Sequence, residues 1–384
     1  MRDFATAAPV ARRTLLGLAG AAAVAPSAFA KPVAKPAPAS VYDRSIVIDA
    51  QSGFGGYDPA DQPGAPLRPE MVEALRSSGV TAVSTTLGDV GNGPARFADA
   101  VASISTMNRT IAAQPDLLTQ ILTASDLTRA KREKRLGVIY NFQDTTALET
   151  DPANVALFRG LGIRVIQLTY NKRNLCGDGC LEKADAGLSD FGRQVIAEIN
   201  ARRVLLDLSH GGRRTVAEAV AASKAPPAIT HTGARALADL PRNTEDSTLK
   251  ALADKGGVAG VYLMPFLKVG TQPHAEDVIA HLEHLIQLCG EDHVGLGSDG
   301  GVSGVKIDAA YREALRKDIE ERRKRGVSAP GENPDVLTLV PEYNAPRRFE
   351  TLAFDLAKRG HSDARIEKIL GGNFARLFGE VWGS

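Results

Sequence analysis

Cysteine, aromatic residues and net charge are all scarce in this chain. Its 384 residues include three cysteines, 5% aromatic residues and a formal net charge of +1 at pH 7. Three cysteines are too few for a disulfide scaffold, so Cys176 and Cys180 either pair within one loop or remain free thiols. Without a basic field or stacking aromatic side chains, the chain is not expected to bind nucleic acid. Beyond the N-terminal region no apolar run reaches about 18 residues, so no membrane span is expected in the mature chain.

The N-terminal region has the pattern of an export signal. Arg12 and Arg13 precede an apolar run that continues to Val24, and alanines at 28 and 30 stand where a signal peptidase would cut. The pattern predicts a twin-arginine-like signal peptide over 1–30 and a periplasmic or secreted protein. General secretion and a frayed N-terminal helix are the alternatives. Residues 31–43, rich in proline and alanine, are predicted to form an extended tether.

The rest of the chain, residues 44–384, alternates between short apolar runs and amphipathic stretches. About eight runs rich in valine, isoleucine and leucine lack polar alternation, which is typical of parallel strands buried on both faces. This repetition predicts a single (β/α)8 barrel of the TIM type, with a doubly wound sheet as the alternative. Residues 305–346 look inserted, and their charged helix is predicted to be a solvated surface, with a lid or a partner surface as the alternative.

Three polar residues stand where barrel strands are predicted to end. His210, His231 and Asp299 each follow directly on an apolar run. Because the C-terminal strand ends form the active face of a parallel barrel, these side chains should lie together. Each histidine alone would more often be a structural residue, but two imidazoles and a carboxylate on one rim can hold a cation such as zinc. The arrangement predicts metal-dependent amide hydrolysis.

Longer segments around these residues carry a family resemblance. LLDLSHGG (205–212), ITHTGARAL (229–237), DLPRN (239–243), DHVGLGSD (292–299) and ILGGNFARLF (369–378) together resemble the renal (membrane) dipeptidase family, peptidase family M19. The similarity extends through most of the chain, from about residue 44 to 380. It implies a barrel of the metal-dependent amidohydrolase kind and zinc-dependent hydrolysis of dipeptides, including those with a D- or dehydro residue at the C-terminal position.

The resemblance also implies roles for individual residues. His210 and His231 match the histidines that bind one of the family's two zinc ions. Arg242 matches an arginine that holds the substrate carboxylate, and Asn243 is expected to support the arginine loop, with simple loop capping as the alternative for both. Asp299 matches an aspartate near the reacting carbonyl with a proton-transfer role. Relatives commonly dimerise, so a homodimer is also expected.

At four positions the chain departs from the family pattern. The histidine and aspartate that bind the other zinc are replaced by Gln51 and Gly53, and the bridging glutamate is replaced by Gln143. Tyr170 stands in place of a histidine that contacts substrate. A neutral amide cannot bridge two dications as a carboxylate does, so a two-zinc centre is not expected.

The sequence therefore predicts an exported, dipeptidase-like metallohydrolase that cleaves a dipeptide or related small amide. One zinc ion would be held by His210 and His231, with Gln143 as a weak further ligand, and Asp299 would transfer protons. Arg242, Asn243 and Tyr170 would form the substrate site. The alternative is a relative that binds or isomerises a small peptide or amino-acid derivative without metal.

Overall fold

The computed structural model describes residues 40–54, 67–90 and 96–383. The predicted signal peptide and residues 31–39 of the predicted tether lie outside the described residues. The last residues assigned to that tether belong to a helix, Val41–Arg44, whose N-cap Ser40 accepts a hydrogen bond from the backbone N–H of Asp43. The buried hydroxyl of Tyr42 donates to the carbonyl of Ser78 at 2.6 Å, which anchors this helix to the body of the domain.

The described strands form a nearly closed parallel barrel. In chain order they are β1 (Ile48–Asp49), β2 (Ser52–Gly53), β3 (Ala82–Thr86), β4 (Leu118–Gln120), β5 (Leu136–Phe142), β6 (Ile163–Gln167), β7 (Leu205–Asp207), β8 (Ala228–Thr232), β9 (Val258–Val261), β10 (Val294–Leu296) and β11 (Gly300–Gly301). The barrel order is β1-β3-β5-β6-β7-β8-β9-β10, and β4 pairs with the start of β5. The backbone N–H of Ala50 bonds the carbonyl of Leu296 at 3.0 Å, which joins the two ends of the sheet. The predicted (β/α)8 barrel is confirmed.

Helices surround the barrel and close one of its ends. In chain order they are α1 (Val41–Arg44), α2 (Pro69–Ser78), α3 (Arg96–Ala113), α4 (Ala124–Glu133), α5 (Asn154–Gly160), α6 (Asp190–Ala201), α7 (Arg213–Ala222), α8 (Asp246–Asp254), α9 (Ala275–Cys289), α10 (Ala309–Lys324), α11 (Arg348–Lys358), α12 (Asp363–Glu367) and α13 (Asn373–Trp382). Within the described ranges, none of them combines the length and the hydropathy needed to cross a membrane.

The strands are buried on both faces, as the unbroken apolar runs predict. Every residue of β5, β6 and β8 is buried. Two glycines let the last strands approach β8 closely: a Cβ atom at Gly260 or Gly297 would lie 2.1 or 2.0 Å from the carbonyl oxygen of Thr230. No side chain fits at either position without moving the backbone of β8.

Helix α13 closes the N-terminal end of the barrel. Phe374, Phe378 and Trp382 pack against the apolar residues that begin the strands. The rings of Phe378 and Trp382 stack at 4.0 Å, and the indole N–H donates to the carbonyl of Arg164 at 3.0 Å. With this end filled by side chains, a ligand must enter from the C-terminal end of the strands.

The charged helix α10 is solvated on one face only. Leu315 and Ile319 are buried and pack with Leu337 of the following loop. Arg322, near the end of the helix, forms an ion pair of 2.8 Å with the buried Glu332. The opposite face exposes charged side chains such as Lys317. The prediction of a solvated surface therefore holds only for the outer face of α10, because the inner face packs over the C-terminal end of the barrel.

All three cysteines are free. The thiol of the buried Cys176 lies 3.1 Å from the hydroxyl of Thr145. The thiol of Cys180 lies 3.3 Å from the side-chain oxygen of Asn171. Of the two alternatives left by the sequence, free thiols are the one found in the structure.

Candidate active site

Two buried histidines face each other at the C-terminal end of the barrel. His231 lies in β8, and His210 lies three residues beyond the end of β7. Their Nε2 atoms are 2.8 Å apart. His210 has a φ of 62° in the left-handed region, which histidine adopts more readily than most residues and which turns the imidazole towards β8. The sequence predicted that these side chains would meet, and they do.

The other ring nitrogen of each histidine is held by a hydrogen-bond acceptor. Nδ1 of His210 lies 2.6 Å from the side-chain oxygen of Asn171, whose amide nitrogen donates to a backbone carbonyl at 2.6 Å. Nδ1 of His231 lies 2.8 Å from the hydroxyl of Thr230, which itself donates to the carboxylate of Asp207 at 2.6 Å. With the proton of Thr230 used in that bond, its oxygen accepts from His231. Both imidazoles therefore carry their proton on Nδ1.

This proton arrangement leaves two nitrogen lone pairs directed at each other. Burial, together with the positive charge of Arg242, holds the pKa of both His210 and His231 well below the usual range, so both rings are neutral at pH 7. Two facing lone pairs repel unless a cation lies between or beside them. Neutral imidazoles with their outer nitrogens hydrogen-bonded are also the form in which histidine binds metals. The pair thus has the chemistry of a cation site.

Asp299 supplies the third group of this site. One carboxylate oxygen and one ring nitrogen of each histidine all lie within 4.8 Å of one another. The residue follows β10 with a φ of 58°, and its N–H donates to the carbonyl of Gln51 at 2.8 Å. Burial raises the pKa of its carboxyl to about 6, although Arg242 and Arg322 oppose the shift. Two histidines and one carboxylate fit a single divalent cation such as zinc.

Arg242 is a buried cation with no ion-pair partner among the residues that the structure describes. It is 3% exposed, and its Nη2 atom has no hydrogen-bond partner among the described residues. The guanidinium lies 5.7 Å from the ring centre of Tyr262 and 5.8 Å from that of Phe266. A desolvated guanidinium with a free N–H group is suited to binding a carboxylate from outside the protein.

The side-chain amide of Asn243 makes its hydrogen bonds within the protein. Its amide nitrogen donates to the carbonyls of Ala238 and Phe266 at 2.7 and 2.8 Å. Its side-chain oxygen accepts from the hydroxyl of Tyr262. The residue therefore holds the arginine loop in shape and offers no group to a substrate.

Tyr170 covers His210 and is itself held by α10. The two rings stack with centres 4.2 Å apart and planes 24° apart. The tyrosine hydroxyl lies 3.4 Å from both terminal nitrogens of Arg322, whose guanidinium also makes bonds of 2.8 and 2.9 Å to Glu332. Tyr170, Arg322 and the half-buried Gln143 share a cavity of about 330 Å³ with Asp299. This cavity lies beside the histidine pair.

A neutral network occupies the end of β1, where the family resemblance places the other zinc. The amide nitrogen of Gln51 donates to the hydroxyl of Thr86 at 3.0 Å, and its oxygen accepts from Asn141 at 3.2 Å. Asn141 also donates to the hydroxyl of Ser84 at 2.8 Å. These groups satisfy one another and carry no charge, so they do not fit a second dication.

Several residues of the site were not predicted from the sequence. Asn171 directly follows Tyr170, and Asp207 and Thr230 are polar residues inside otherwise apolar runs, so a signal was present for these three. Arg322 belongs to the inserted helix, and no sequence pattern placed it near the barrel centre.

Comparisons with known proteins agree with this fold and site. The family described as Membrane dipeptidase (Peptidase family M19) matches residues 67–323 of the chain, which is more than half of its length. An uncharacterised protein from the pqqA 5' region of Klebsiella pneumoniae is 26% identical over 290 residues, covering 73% of this chain and 94% of that protein. The dipeptidase verJ of Clonostachys rogersoniana is 30% identical over 264 residues, covering 67% of this chain but only 59% of that enzyme.

A solved structure shows the same architecture. An amidohydrolase from Pseudomonas aeruginosa superposes with a TM-score of 0.76 at 31% identity, covering 90% of this chain and 98% of the other. This likeness confirms the predicted amidohydrolase kind of barrel. The prediction of a dipeptidase-like metallopeptidase is confirmed at the level of the family. The chain belongs to the membrane dipeptidase family, peptidase family M19.

Proposed function

We propose that the chain hydrolyses dipeptides or related small amides with a single metal ion, most simply zinc, held by His210, His231 and Asp299. The proposal rests on the facing Nε2 lone pairs of the two histidines, 2.8 Å apart and fixed in that state by Asn171 and by Thr230. A divalent cation held there would polarise a carbonyl and make water a stronger acid.

The protein's own residues would bind and orient the substrate. Arg242 binds the C-terminal carboxylate, because its free N–H group has no acceptor among the described residues. Asp299 lies within reach of the histidine nitrogens and binds the substrate amino group. Tyr170 covers one face of His210 and excludes water from it. Asn243 keeps the arginine loop in place through its three internal hydrogen bonds.

Proton transfer is assigned to Asp299. One oxygen of its carboxylate would lie on the metal ion, which leaves the other oxygen free to accept and release a proton at the same centre. It takes a proton from the attacking water and returns one to the leaving amine. Gln143, half-buried on the same cavity, contributes at most a neutral oxygen.

One observation favours a second candidate function. The neutral Gln51 network removes the family's other metal position, and Arg242 and Asp299 would bind a zwitterion without any cation. In that case the chain binds or isomerises a small peptide or amino-acid derivative without hydrolysing it.

Elemental analysis and a hydrolysis assay distinguish the two. The protein is purified without chelator or a metal-binding tag, beside His210→Ala, His231→Ala and a control, His284→Ala. His284 is a half-buried histidine on α9 that bonds Asp246. The proposal expects about one equivalent of metal and release of amine from dipeptides, both lost in the first two variants and kept in the control. Metal-independent ligand binding with no amine released would support the second function.

The proposal also includes export of the protein and its assembly into a homodimer. Residues 1–30 would direct the folded protein across the membrane, and the mature protein would act as a homodimer. Fractionation of cells that produce the chain with Arg12 and Arg13 intact or changed to lysine tests the first point. Light scattering of the purified protein tests the second.

A further inference from the structure

A second cavity lies on the other side of Asp299. It has a volume of about 320 Å³ and shares Thr86, Asp299 and Thr338 with the cavity beneath α10. Its walls include both residues of β2, both residues of β11 and the side chain of Arg348. A substrate whose amino group is bound by Asp299 can therefore extend into either of the two cavities.

Gly53 opens this cavity. A Cβ atom at this position would have no heavy atom of the described residues within 4 Å, apart from its chain neighbours, and the φ of the residue lies outside the left-handed region. The backbone therefore does not require glycine here. What the glycine provides is space, at the position where the family resemblance places a metal-binding aspartate.

Arg348 brings a positive charge to the wall of the cavity. The residue is 7% exposed, and its Nε and Nη2 atoms donate to backbone carbonyls, including those of Ala345 at 3.2 Å and Val302 at 3.0 Å. Its Nη1 atom has no hydrogen-bond acceptor in the described part of the chain, and no carboxylate there lies within ion-pair distance. Nη1 lies near Gly300, which also lines the cavity, at 3.5 Å from where a Cβ atom of that glycine would stand.

The other ionisable groups on this wall do not neutralise Arg348. Asp299 belongs to the metal site, and Tyr343 turns its hydroxyl away to bond Asp355 at 3.1 Å. The hydroxyl of Tyr311 lies 3.4 Å from that of Thr338. The buried Asp49 attracts Arg348 from beyond ion-pair distance, but its carboxylate accepts from the backbone N–H and the hydroxyl of Ser298 at 2.6 and 2.5 Å. Among the described residues that line the cavity, Arg348 is thus the buried cation, with one N–H group free and no ion-pair partner. A desolvated charge of this kind is costly unless an anion pairs with it.

We propose that this cavity receives the side chain of the substrate's N-terminal residue and selects a carboxylate there, which Arg348 binds. The inference rests on the proposed function, in which Arg242 holds the C-terminal carboxylate and Asp299 the amino group. The preferred substrates are then dipeptides that begin with glutamate or aspartate.

Matched pairs of dipeptides test this selection. Glu-Ala is compared with Gln-Ala, and Asp-Ala with Asn-Ala, each with the alanine in both configurations. Each pair differs in charge and hardly in size. We expect kcat/KM to favour the acid of at least one pair by about tenfold or more, since an unpaired buried charge penalises the neutral analogue. Equal kcat/KM for acid and amide in both pairs would overturn the inference and leave the proposed hydrolysis intact.

Two variants locate the preference. Arg348→Met should reduce the ratio of kcat/KM for the acid dipeptide to kcat/KM for the amide dipeptide to near one. Its control is Arg164→Met, which removes another buried arginine that bonds carbonyls, at 2.7 Å to Leu122 and 3.1 Å to Arg159, but at the opposite end of the barrel. The control should keep the ratio. If Arg348→Met does not fold, Gly53→Leu serves instead, because the leucine side chain fills the cavity. This variant should lower kcat/KM for Glu-Ala and Gln-Ala relative to that for Gly-Ala. An unchanged relative kcat/KM would overturn the inference.

A binding measurement separates this inference from the proposed function. Calorimetric titration with the same dipeptides needs no turnover. Tighter binding of Glu-Ala than of Gln-Ala, lost in Arg348→Met, supports the subsite even if no dipeptide is cleaved. Cleavage of all dipeptides without any acid preference in binding or turnover supports the hydrolase and refutes the subsite.

Discussion

The hydroxyl of Tyr170 lies 3.4 Å from both terminal nitrogens of Arg322, so the loop after β6 and the inserted helix α10 meet directly above His210. Arg322 is oriented in turn by Glu332, which is 9% exposed. The guanidinium of Arg322 thus connects the inserted helix to Tyr170, which covers the candidate metal site.

Removing the charge of Glu332 should loosen this connection. In Glu332→Gln the guanidinium of Arg322 stays largely buried without a counter-ion, so we expect a loss of about 2–4 kcal/mol in the free energy of unfolding. Urea denaturation measures it. The control is Glu313→Gln, which removes a charge from an exposed ion pair on the outer face of α10 and should change little. Equal losses in the two variants would mean that the buried pair contributes no more to stability than the exposed one.

Changing Asn171 should weaken metal binding without removing a metal ligand. Asn171→Leu deprives Nδ1 of His210 of its acceptor, so the proton is free to move to Nε2 and block the position that faces His231. Loss of such an outer-sphere hydrogen bond lowers metal affinity by about 10- to 100-fold. Competition with a fluorescent chelator measures the affinity.

Asn154→Ala is the control for that experiment. Asn154 bonds a carbonyl at 3.1 Å on α5, away from the histidine pair. An unchanged affinity in Asn171→Leu would refute the role assigned to its side-chain oxygen.

Restoring the missing ligands should restore a second metal position. The triple variant Gln51→His, Gly53→Asp and Gln143→Glu replaces neutral groups with an imidazole and two carboxylates at the ends of β1 and β5. We expect about one zinc per chain in the parent and about two in the variant, by mass spectrometry under native conditions, because carboxylates offset the charge of paired dications. Two ions in the parent chain would show that the Gln51 network is itself a metal site.

The thiols should react slowly in the folded protein. Burial raises the pKa of Cys176 to about 12 and those of Cys180 and Cys289 to about 11, so at pH 8 their thiolate fraction falls far below that of ordinary cysteines. Reaction with iodoacetamide should accelerate as the pH rises, because the thiolate is the reactive form. The chain unfolded in guanidinium should react quickly at pH 8 and yield three thiols. One thiol per unfolded chain would reveal a Cys176–Cys180 disulfide.

Much of the site was predictable because a barrel gathers the ends of its strands. The apolar runs before His210, His231 and Asp299 indicated parallel strands, and the closure of such strands brings their last residues together whatever the loops do. The barrel and the three-residue cluster therefore follow from local patterns.

The partners of these residues depend on loops and could not be predicted in the same way. Asn171 reaches His210 only because the loop after β6 folds back across β7. Arg322 and Arg348 come from an inserted helix and from the start of α11, whose paths are determined by packing. The charged pattern of α10 predicted a solvent-exposed helix, because charged residues outnumber its apolar ones. The few apolar residues, such as Leu315 and Ile319, form the inner face. Asn243, predicted to contact substrate, makes all its bonds within the protein.

The close approach of Gly260 and Gly297 to Thr230 makes the histidine geometry intolerant of change at two positions that touch no ligand. A methyl group at either position would displace the carbonyl of Thr230 and, with it, the hydroxyl that sets the proton of His231. Variation in the loops can reshape the two cavities and so alter which substrate is bound, whereas variation at these glycines should abolish every activity at once. Random mutagenesis with selection for new substrates should accordingly recover changes around Gly53 and α10 and none at Gly260 or Gly297.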